Sequence, residues 1–568
     1  MSTVRRVYFY AVSLVTLGIW AWGAGLILRL IFAMTFNRQP SIASSPGYLQ
    51  QQLALGIAMI AIAGGVWVVH WRVVQRHAAL DPNEAGAASR KLYLSLILTS
   101  SALTALMTGK DVLRWLLGGV PAGEFSSGVL AALVVSAGIW LYNWKVNAND
   151  GPSSPAGRTL HRWYWYFVSA WSLVLFSVAL INALGMVSDR IGLFGGQTLA
   201  QGPLWNGDMR LSLAAFLLGV PWWWFHWFRA AGKDSESSLR QVYLYLFAIP
   251  GGALTGLVAL TVTLFRLLEY TLGGAAAPQS DFFRFLGWTI PTMLIGVAVW
   301  VYHWQTVKDE AAGEEERRTS ARRVYYYLLS GLGLTAIASG IVFLVGLLVD
   351  LLLGAVDSSY VVISASGWWR NQLALFVVLL LVGTVVWLYH WLRVQRDAGG
   401  SQRERAARSR KVYLYTFLCI SIIGLVASLI NIVYRFIAGF LPGSSLLDEL
   451  SNMKWGLQGL LIAGPVLAYH VGVLREDMRT GAEKAGARKT LVVVVDAGET
   501  SRFIPRLEKQ LGSRVRVMSL EGEKHVPQLE VSDEQLQELA RSVIASPQAK
   551  LLLLVHGTEV KLYPYQEK

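Results

Sequence analysis

Long apolar runs alternate with short polar, arginine-rich stretches over the first 480 or so residues. Each run is about as long as a bilayer's hydrocarbon core is thick, roughly 20 residues for 30 Å of helix. None carries Asp, Glu, Lys or Arg near its middle. Two short motifs mark where the runs begin and end. The closing motif reads Trp67-Val68-Val69-His70-Trp71, Trp140-Leu141-Tyr142-Asn143-Trp144 and Trp223-Trp224-Phe225-His226-Trp227. It recurs as Trp300-Val301-Tyr302-His303-Trp304 and Trp387-Leu388-Tyr389-His390-Trp391, with a degraded copy at Leu467-Ala468-Tyr469-His470-Val471. On a helix, positions i, i+3 and i+4 share a face, so both tryptophans and the histidine, or Asn143, point one way. Tryptophan and tyrosine favour the headgroup level of a membrane.

The opening motif reads Arg5-Arg6-Val7-Tyr8, Arg90-Lys91-Leu92-Tyr93, His161-Arg162-Trp163-Tyr164, Arg240-Gln241-Val242-Tyr243, Arg322-Arg323-Val324-Tyr325 and Arg410-Lys411-Val412-Tyr413. Basic residues followed by tyrosine mark the cytoplasmic start of a span. The pattern predicts six helical hairpins, hence twelve spans, with N- and C-terminus both in the cytoplasm. Ser13, Ser169 and Ser330 follow the opening tyrosine by five residues in the odd hairpins alone. The even hairpins share Tyr93-Leu94, Tyr243-Leu244 and Tyr413-Leu414. The expected unit is therefore four helices, at 1–150, 158–308 and 320–478, related by an axis along the membrane normal. These openings, the Tyr-His-Trp closings and the four-span unit resemble a bacterial multi-pass membrane domain family, domain of unknown function 5671, in three tandem copies. The resemblance implies a four-helix membrane unit and brings no functional residues with it.

Beyond His470 the pattern changes. Leu491–Val495 reads as a buried strand, Ser501–Leu511 as a helix, Arg514–Leu520 as a strand, and Ser532-Asp533-Glu534-Gln535 as a capping box opening a helix to about Ala545. Leu551–Val555 reads as a third strand. The expected fold class is an all-α polytopic membrane protein with a small βαβαβ domain, three strands in parallel, over 488–568.

Composition agrees. Of 568 residues, 54% are apolar and 15% charged, where a soluble domain carries about 25% charged residues. The net charge of +14 does not imply nucleic acid, because it follows the positive-inside bias. Before residue 475 the expected inner segments hold 24 Lys+Arg and the outer ones 11, the other 15 lying further on. Cys419 is alone, which excludes an intramolecular disulfide. Arg5-Arg6 and the run behind it are too long for a secretory h-region and read as an uncleaved first span.

Candidate chemistry is sparse. Haem ligation needs facing histidines, and the pairs available are His226 with His303 and His390 with His470; the alternative is interfacial anchoring. No metal site is expected. An outer polar ring is drawn from Arg29, Arg114, Arg190, Arg266, Asp350 and Arg435, which follow their opening tyrosines by 21 to 26 residues. These residues read as snorkelling anchors or as the lining of an outer vestibule. Asp111 with Arg114 and Arg266 with Glu269 are spaced to pair locally. Asn182 and Asn431 read as interhelical hydrogen-bonding groups. In the C-terminal domain, Asp496, Gly498, Thr500, Ser501, His556 and Gly557 follow strand ends, where ligands of open α/β sheets bind. No G-x-G-x-x-G, Walker A or nucleophile-elbow pattern accompanies them, so no catalytic residues are assigned.

The expected function is a non-enzymatic scaffold or sensor-transducer of a bacterial cytoplasmic membrane. Its partners are the lipid bilayer and a cytoplasmic protein met through the C-terminal domain. A channel or facilitator for a neutral solute and a haem-binding electron-transfer subunit are the alternatives.

Overall fold

The protein is described by a computed structural model over residues 3–36, 47–118, 125–151, 153–195, 202–234, 237–273, 279–310, 315–356, 368–442, 445–486, 490–496, 503–511, 514–520, 532–546, 548, 550–556 and 559–565. Twelve helical segments among them are long and apolar enough to cross a membrane: α1 (Val4–Phe36), α2 (Tyr48–Leu80), α3 (Ala88–Leu116), α4 (Ser127–Asn149), α5 (Pro155–Ile191), α6 (Gly207–Arg229), α7 (Leu239–Thr271), α8 (Phe283–Glu310), α9 (Arg322–Val356), α10 (Trp369–Gly400), α11 (Arg408–Ala438) and α12 (Leu446–Arg479). A lipid interior offers the backbone no hydrogen-bond partner, so each apolar run satisfies itself as a helix.

By contacts the chain divides into two compact units, Met1–Arg396 with Ile430–Gln458, and Asp397–Leu429 with Gly459–Lys568. In the first unit, helices adjacent in sequence pack as hairpins, α1 on α2, α3 on α4, α5 on α6 and α7 on α8. Successive hairpins are neighbours: α1 meets α4, α3 meets α5, and α5 meets α8. Glycines set the closest approaches. A Cβ at Gly252 would stand 2.6 Å from the Trp300 nitrogen and 2.8 Å from the Gly296 carbonyl. One at Gly383 would meet the Ile337 nitrogen at 2.8 Å. Small residues let helix backbones touch where lipid supplies no hydrophobic drive. Two turns widen to π-helix, Phe225–Ala230 and Tyr243–Ala248; the first carries a closing motif and the second an opening one. Pro221, Pro291 and Pro465 lie inside helices that continue past them.

The marks that separate odd from even hairpins in the sequence are all inside the protein. Ser13, Ser169 and Ser330 are fully buried, and so are Leu94, Leu244, Leu414 and the tyrosine before each leucine.

In the second unit the helical run of α12 continues to Gly486, and β1 (Thr490–Asp496) begins four residues later. Next come α13 (Phe503–Leu511), β2 (Arg516–Leu520), α14 (Asp533–Ala545), β3 (Lys550–His556) and β4 (Glu559–Pro564). The Ser532–Gln535 capping box is formed, with reciprocal bonds of 3.3 and 3.1 Å. The sheet differs from the expected three parallel strands. It has four, in the order β2-β1-β3-β4, with β4 antiparallel to β3. The strand missed in the sequence is an edge: Val560 and Leu562 pack against the core while Lys561 and Pro564 between and after them dilute the apolar signal. Leu491, Val493, Leu551, Leu553 and Val555 pack one sheet face on Phe503, Ile504, Leu507, Leu536 and Val543 of the two helices.

Candidate functional site

The closing motif has one chemical rule in all six copies. The polar residue donates to the backbone carbonyl one turn back. His70, His226, His303, His390 and His470 do so through Nδ1 to Val66, Trp222, Val299, Val386 and Val466 at 2.7–2.8 Å. Asn143 does the same through Nδ2 to Ile139 at 2.8 Å. A carbonyl only accepts, so Nδ1 carries a proton and, in the neutral ring, Nε2 keeps a lone pair. Asparagine can replace histidine here because the shared task is that single donation.

What each Nε2 meets differs. In the first hairpin the His70 nitrogen lies 3.3 Å from the Tyr8 hydroxyl. The Tyr164 hydroxyl donates to His226 at 2.9 Å, and Trp165, Trp222 and Phe225 complete that aromatic box. His303 is walled by Trp223, Trp227, Tyr243 and Tyr302, and its Nε2 is buried with no partner among the described residues. The expected His226–His303 pair is thus split between two boxes, with no ring contact or hydrogen bond joining the imidazoles among the described residues. His390 packs on Tyr325, Tyr326 and Tyr389. His470 packs on Tyr413, Phe417 and Tyr469. His70 also packs on Tyr8 and Phe9 of α1, while the one hydrogen bond of Asn143 among the described residues stays within its own helix.

The tryptophans join hairpin to hairpin. Trp67 donates to Tyr93 at 3.4 Å, Trp71 to Tyr142 at 2.6 Å, Trp140 to Tyr164 at 3.0 Å and Trp227 to Tyr302 at 2.8 Å. Each donor lies one hairpin before its acceptor. Trp71, Trp227 and Trp391, the second tryptophans of the odd copies, are at most 3% exposed. Trp71 and Trp227 are core residues of these joints. Trp144 packs among Trp140, Trp165 and Phe225, and Trp304 against Tyr325. Trp223 stacks on Trp227, Trp300 packs on the same core, and the backbone nitrogen of Trp387 lies against Gly333.

Reasoning from the sequence missed the charges that lock the even hairpins. Arg90 is 1% exposed and Lys91 2%. Asp150 receives Arg90 Nε at 2.8 Å, Arg90 Nη2 at 2.7 Å and Lys91 Nζ at 3.0 Å. Gln75 and Asn147 accept further bonds from the same two cations at 2.7 and 2.9 Å. Arg240 is held by Glu310 and the Ala231 carbonyl, and Arg410 by Asp477 at 2.6 and 3.1 Å. Arg90 also lies over the Trp71 ring at 5.5 Å, and Arg240 over Trp227 at 4.8 Å. A signal existed. In the even copies the acid stands seven residues after the motif's polar residue: Asn143 to Asp150, His303 to Glu310, His470 to Asp477. The first two odd copies bond elsewhere, Arg6 to Glu84 at 2.6 and 2.8 Å and Arg162 to Asp234 at 2.5 Å, while the third has Asp397 at the same seven-residue spacing from His390. The Arg6 hydrogen bonds hold the Glu84 carboxyl down at about 2, because they favour its charged form.

At the other end of the helices three of the six polar-ring residues pair with an opposite charge, each with a different one. Arg266 pairs with Glu269 at 2.7 Å as its spacing suggests, Asp350 with Lys454 at 2.8 Å and Arg435 with Glu449 at 3.0 Å. Asp111 bonds Lys110, and Arg114 Nε is buried with no partner among the described residues. Arg29 lines a cavity of about 590 Å³ walled by Gly18, Gly25, Ser101 and Ser136. Arg190 lines another of about 530 Å³ with Asn182, Asp189 and Asp208. The Asn431 Oδ1 is buried with no partner among the described residues.

In the sheet, Asp496 and His556 end adjacent parallel strands, which puts them at one edge. Gly498, Thr500, Ser501 and Gly557 lie outside the described residues. No group of three or more His, Cys, Asp or Glu side chains is arranged to hold a metal among the described residues.

No curated protein and no solved structure matches the chain. One family does, at residues 6–142, 162–294, 264–359 and 323–464. The matches overlap, run through all twelve spans and stop short of the sheet. The chain is a multi-pass membrane protein that belongs to the family described as domain of unknown function DUF5671.

Proposed function

We propose that the protein is a sensor-transducer, or a scaffold, of a bacterial cytoplasmic membrane, with both termini inside. Its body would be three four-helix units and its output the C-terminal α/β domain. The observation that carries this reading is the continuous helix that runs from the last span to Gly486, four residues before β1 begins. At 1.5 Å per residue its 33 residues make a rod of roughly 50 Å. A rod of that length can pass displacement of a span on to the sheet without a flexible joint in the helix itself.

Two further facts support the parts of this reading. The buried Arg–acid lock occurs once per two hairpins, and the family matches at 6–142, 162–294 and 323–464 keep the same frame. The fourth match, 264–359, runs from the end of α7 through α8 and α9 and overlaps two of the others. The sheet face opposite its helices carries Val494, Leu552 and Leu554, with Met518 50% and Tyr563 45% exposed. That surface suits a protein partner.

The test is genetic. Removing residues 486–568 should reproduce the phenotype of disrupting the whole gene. A truncated strain that behaves as wild type would end the transducer reading. Passage of a neutral solute is the second reading, favoured by the polar-walled cavity at Asn182; solute flux into proteoliposomes would establish it. A Soret band lost on replacing His303 would favour the haem-binding alternative.

A further inference from the structure

A pocket of about 570 Å³ opens at the motif end of α5 and α6. Its walls are the rings of Trp144, Trp165 and Phe225, and its charged lining is Arg158, His161, Arg162, Arg229 and Asp234. The sequence places Arg158, His161, Arg162 and Trp165 on one face of α5 by their i, i+3, i+4 and i+7 spacing. Phe225 and Arg229 stand on the π-helical turn Phe225–Ala230.

The charges do not cancel. Among the described residues Asp234 is the one carboxylate lining the pocket, and it is taken by Arg162 at 2.5 Å and by the Tyr166 hydroxyl at 3.0 Å. Arg158 gives one N–H to the Ser153 carbonyl at 2.9 Å and keeps the rest of its fork. Arg229 lies over the Trp224 ring at 5.8 Å and has no carboxylate partner among the described residues. The Asn147 amide faces His161 Nε2 at 3.3 Å, its oxygen being occupied by Lys91. Nε2 therefore accepts, and the proton sits on Nδ1, which is buried with no partner among the described residues. Two guanidinium groups and one buried N–H thus lack an anion. The repeat pattern does not require Arg158, whose position is taken by Ser2 in the first unit and Thr319 in the third; Arg229 is Val73 in the first unit and stays an arginine, Arg393, in the third.

We infer that this pocket binds the phosphate headgroup of an anionic phospholipid. Planar guanidinium forks match phosphate oxygens, and the three rings would take the glycerol and first acyl carbons. Trp163 and Phe228, 51% and 46% exposed, are neighbours in sequence of the lining and give an apolar flank suited to acyl chains. A free phosphate would gain nothing from that flank. The site rests on the membrane reading only in setting this end of the helices at a headgroup layer. Its binding assay and the C-terminal deletion can each fail alone.

The experiment titrates the purified full-length protein, in an uncharged detergent, with dioctanoyl phosphatidylglycerol, and counts bound lipid by native mass spectrometry. Dioctanoyl phosphatidylcholine and glycerol phosphate are the comparison probes. Arg158→Gln with Arg229→Gln should weaken phosphatidylglycerol binding about 30-fold, from two lost cation–headgroup contacts. The Lys pair at the same positions should recover most of it. Both side chains are exposed, so the variants should elute as the wild type does. Unchanged phosphatidylglycerol affinity in the Gln pair would overturn the site, as would equal affinity for phosphatidylcholine. Displacement by glycerol phosphate at equal concentration would overturn the lipid as its source.

Discussion

Asp150→Asn tests the lock of the first even hairpin. The carboxylate serves two cations, Arg90 and Lys91, both almost wholly inside the protein. At about 3 Å and an effective dielectric constant near 20, each attraction is roughly 5 kcal/mol before the cost of desolvation. Removing one partner of a buried pair costs about 3–5 kcal/mol, because the other charge stays behind unpaired. Here two stay behind, while Gln75 and Asn147 still accept one bond from each. The net expectation is a loss of about 4 kcal/mol. Asp477→Asn, which strands Arg410 alone, should lose less, about 3 kcal/mol. The assay is SDS-driven unfolding in mixed micelles, followed by tryptophan fluorescence. Adding Arg90→Gln to Asp150→Asn should restore part of the loss, a coupling that a double-mutant cycle isolates. A loss below about 1 kcal/mol, or strictly additive single and double variants, would refute the claim that these charges hold the hairpin shut.

Three other outcomes are expected. The Glu84 carboxyl, held at about 2, lies below the ordinary value near 4.3. Its pair with Arg6 therefore stabilises fully above about pH 4.5 and fades as the pH falls through about 2. Arg6 is 27% exposed, so about 2 kcal/mol is at stake after screening; Glu84→Gln should flatten the acid limb of the stability curve, and an unaltered limb would count against the pair. Gly252→Ala should collapse the monodisperse yield on size exclusion, since its Cβ meets backbone at 2.6 Å, whereas Gly251→Ala has open space and should be neutral; equal yields would remove glycine contact as the cause. His303→Asn keeps the donation to Val299 that Asn143 makes to Ile139, so its thermal midpoint should stay within a few degrees of wild type, while His303→Leu should fall further; the reverse order would show that the imidazole has another duty.

The twelve spans were legible because oil leaves a backbone no alternative to the helix, and because the length of an apolar run is counted directly in residues. Charge-free centres, the hairpin repeat and the odd-even marks are also local facts, and Ser13, Leu94 and their counterparts are buried where those marks fall. The capping box of α14 is legible for the same reason, since its partners are three residues apart. Tertiary structure decided what lies between hairpins. A span is apolar on every side, so hydrophobicity does not say which face meets protein and which meets lipid. Only the packing turns Trp71 and Trp227 inward onto Tyr142 and Tyr302, more than 70 residues away. Only the packing brings Arg90 to Asp150 and Arg240 to Glu310, and separates His226 from His303 into different boxes. Such pairings depend on which helices end up adjacent, a choice that the span lengths leave open and that a few glycine contacts, indole bonds and buried charges then fix.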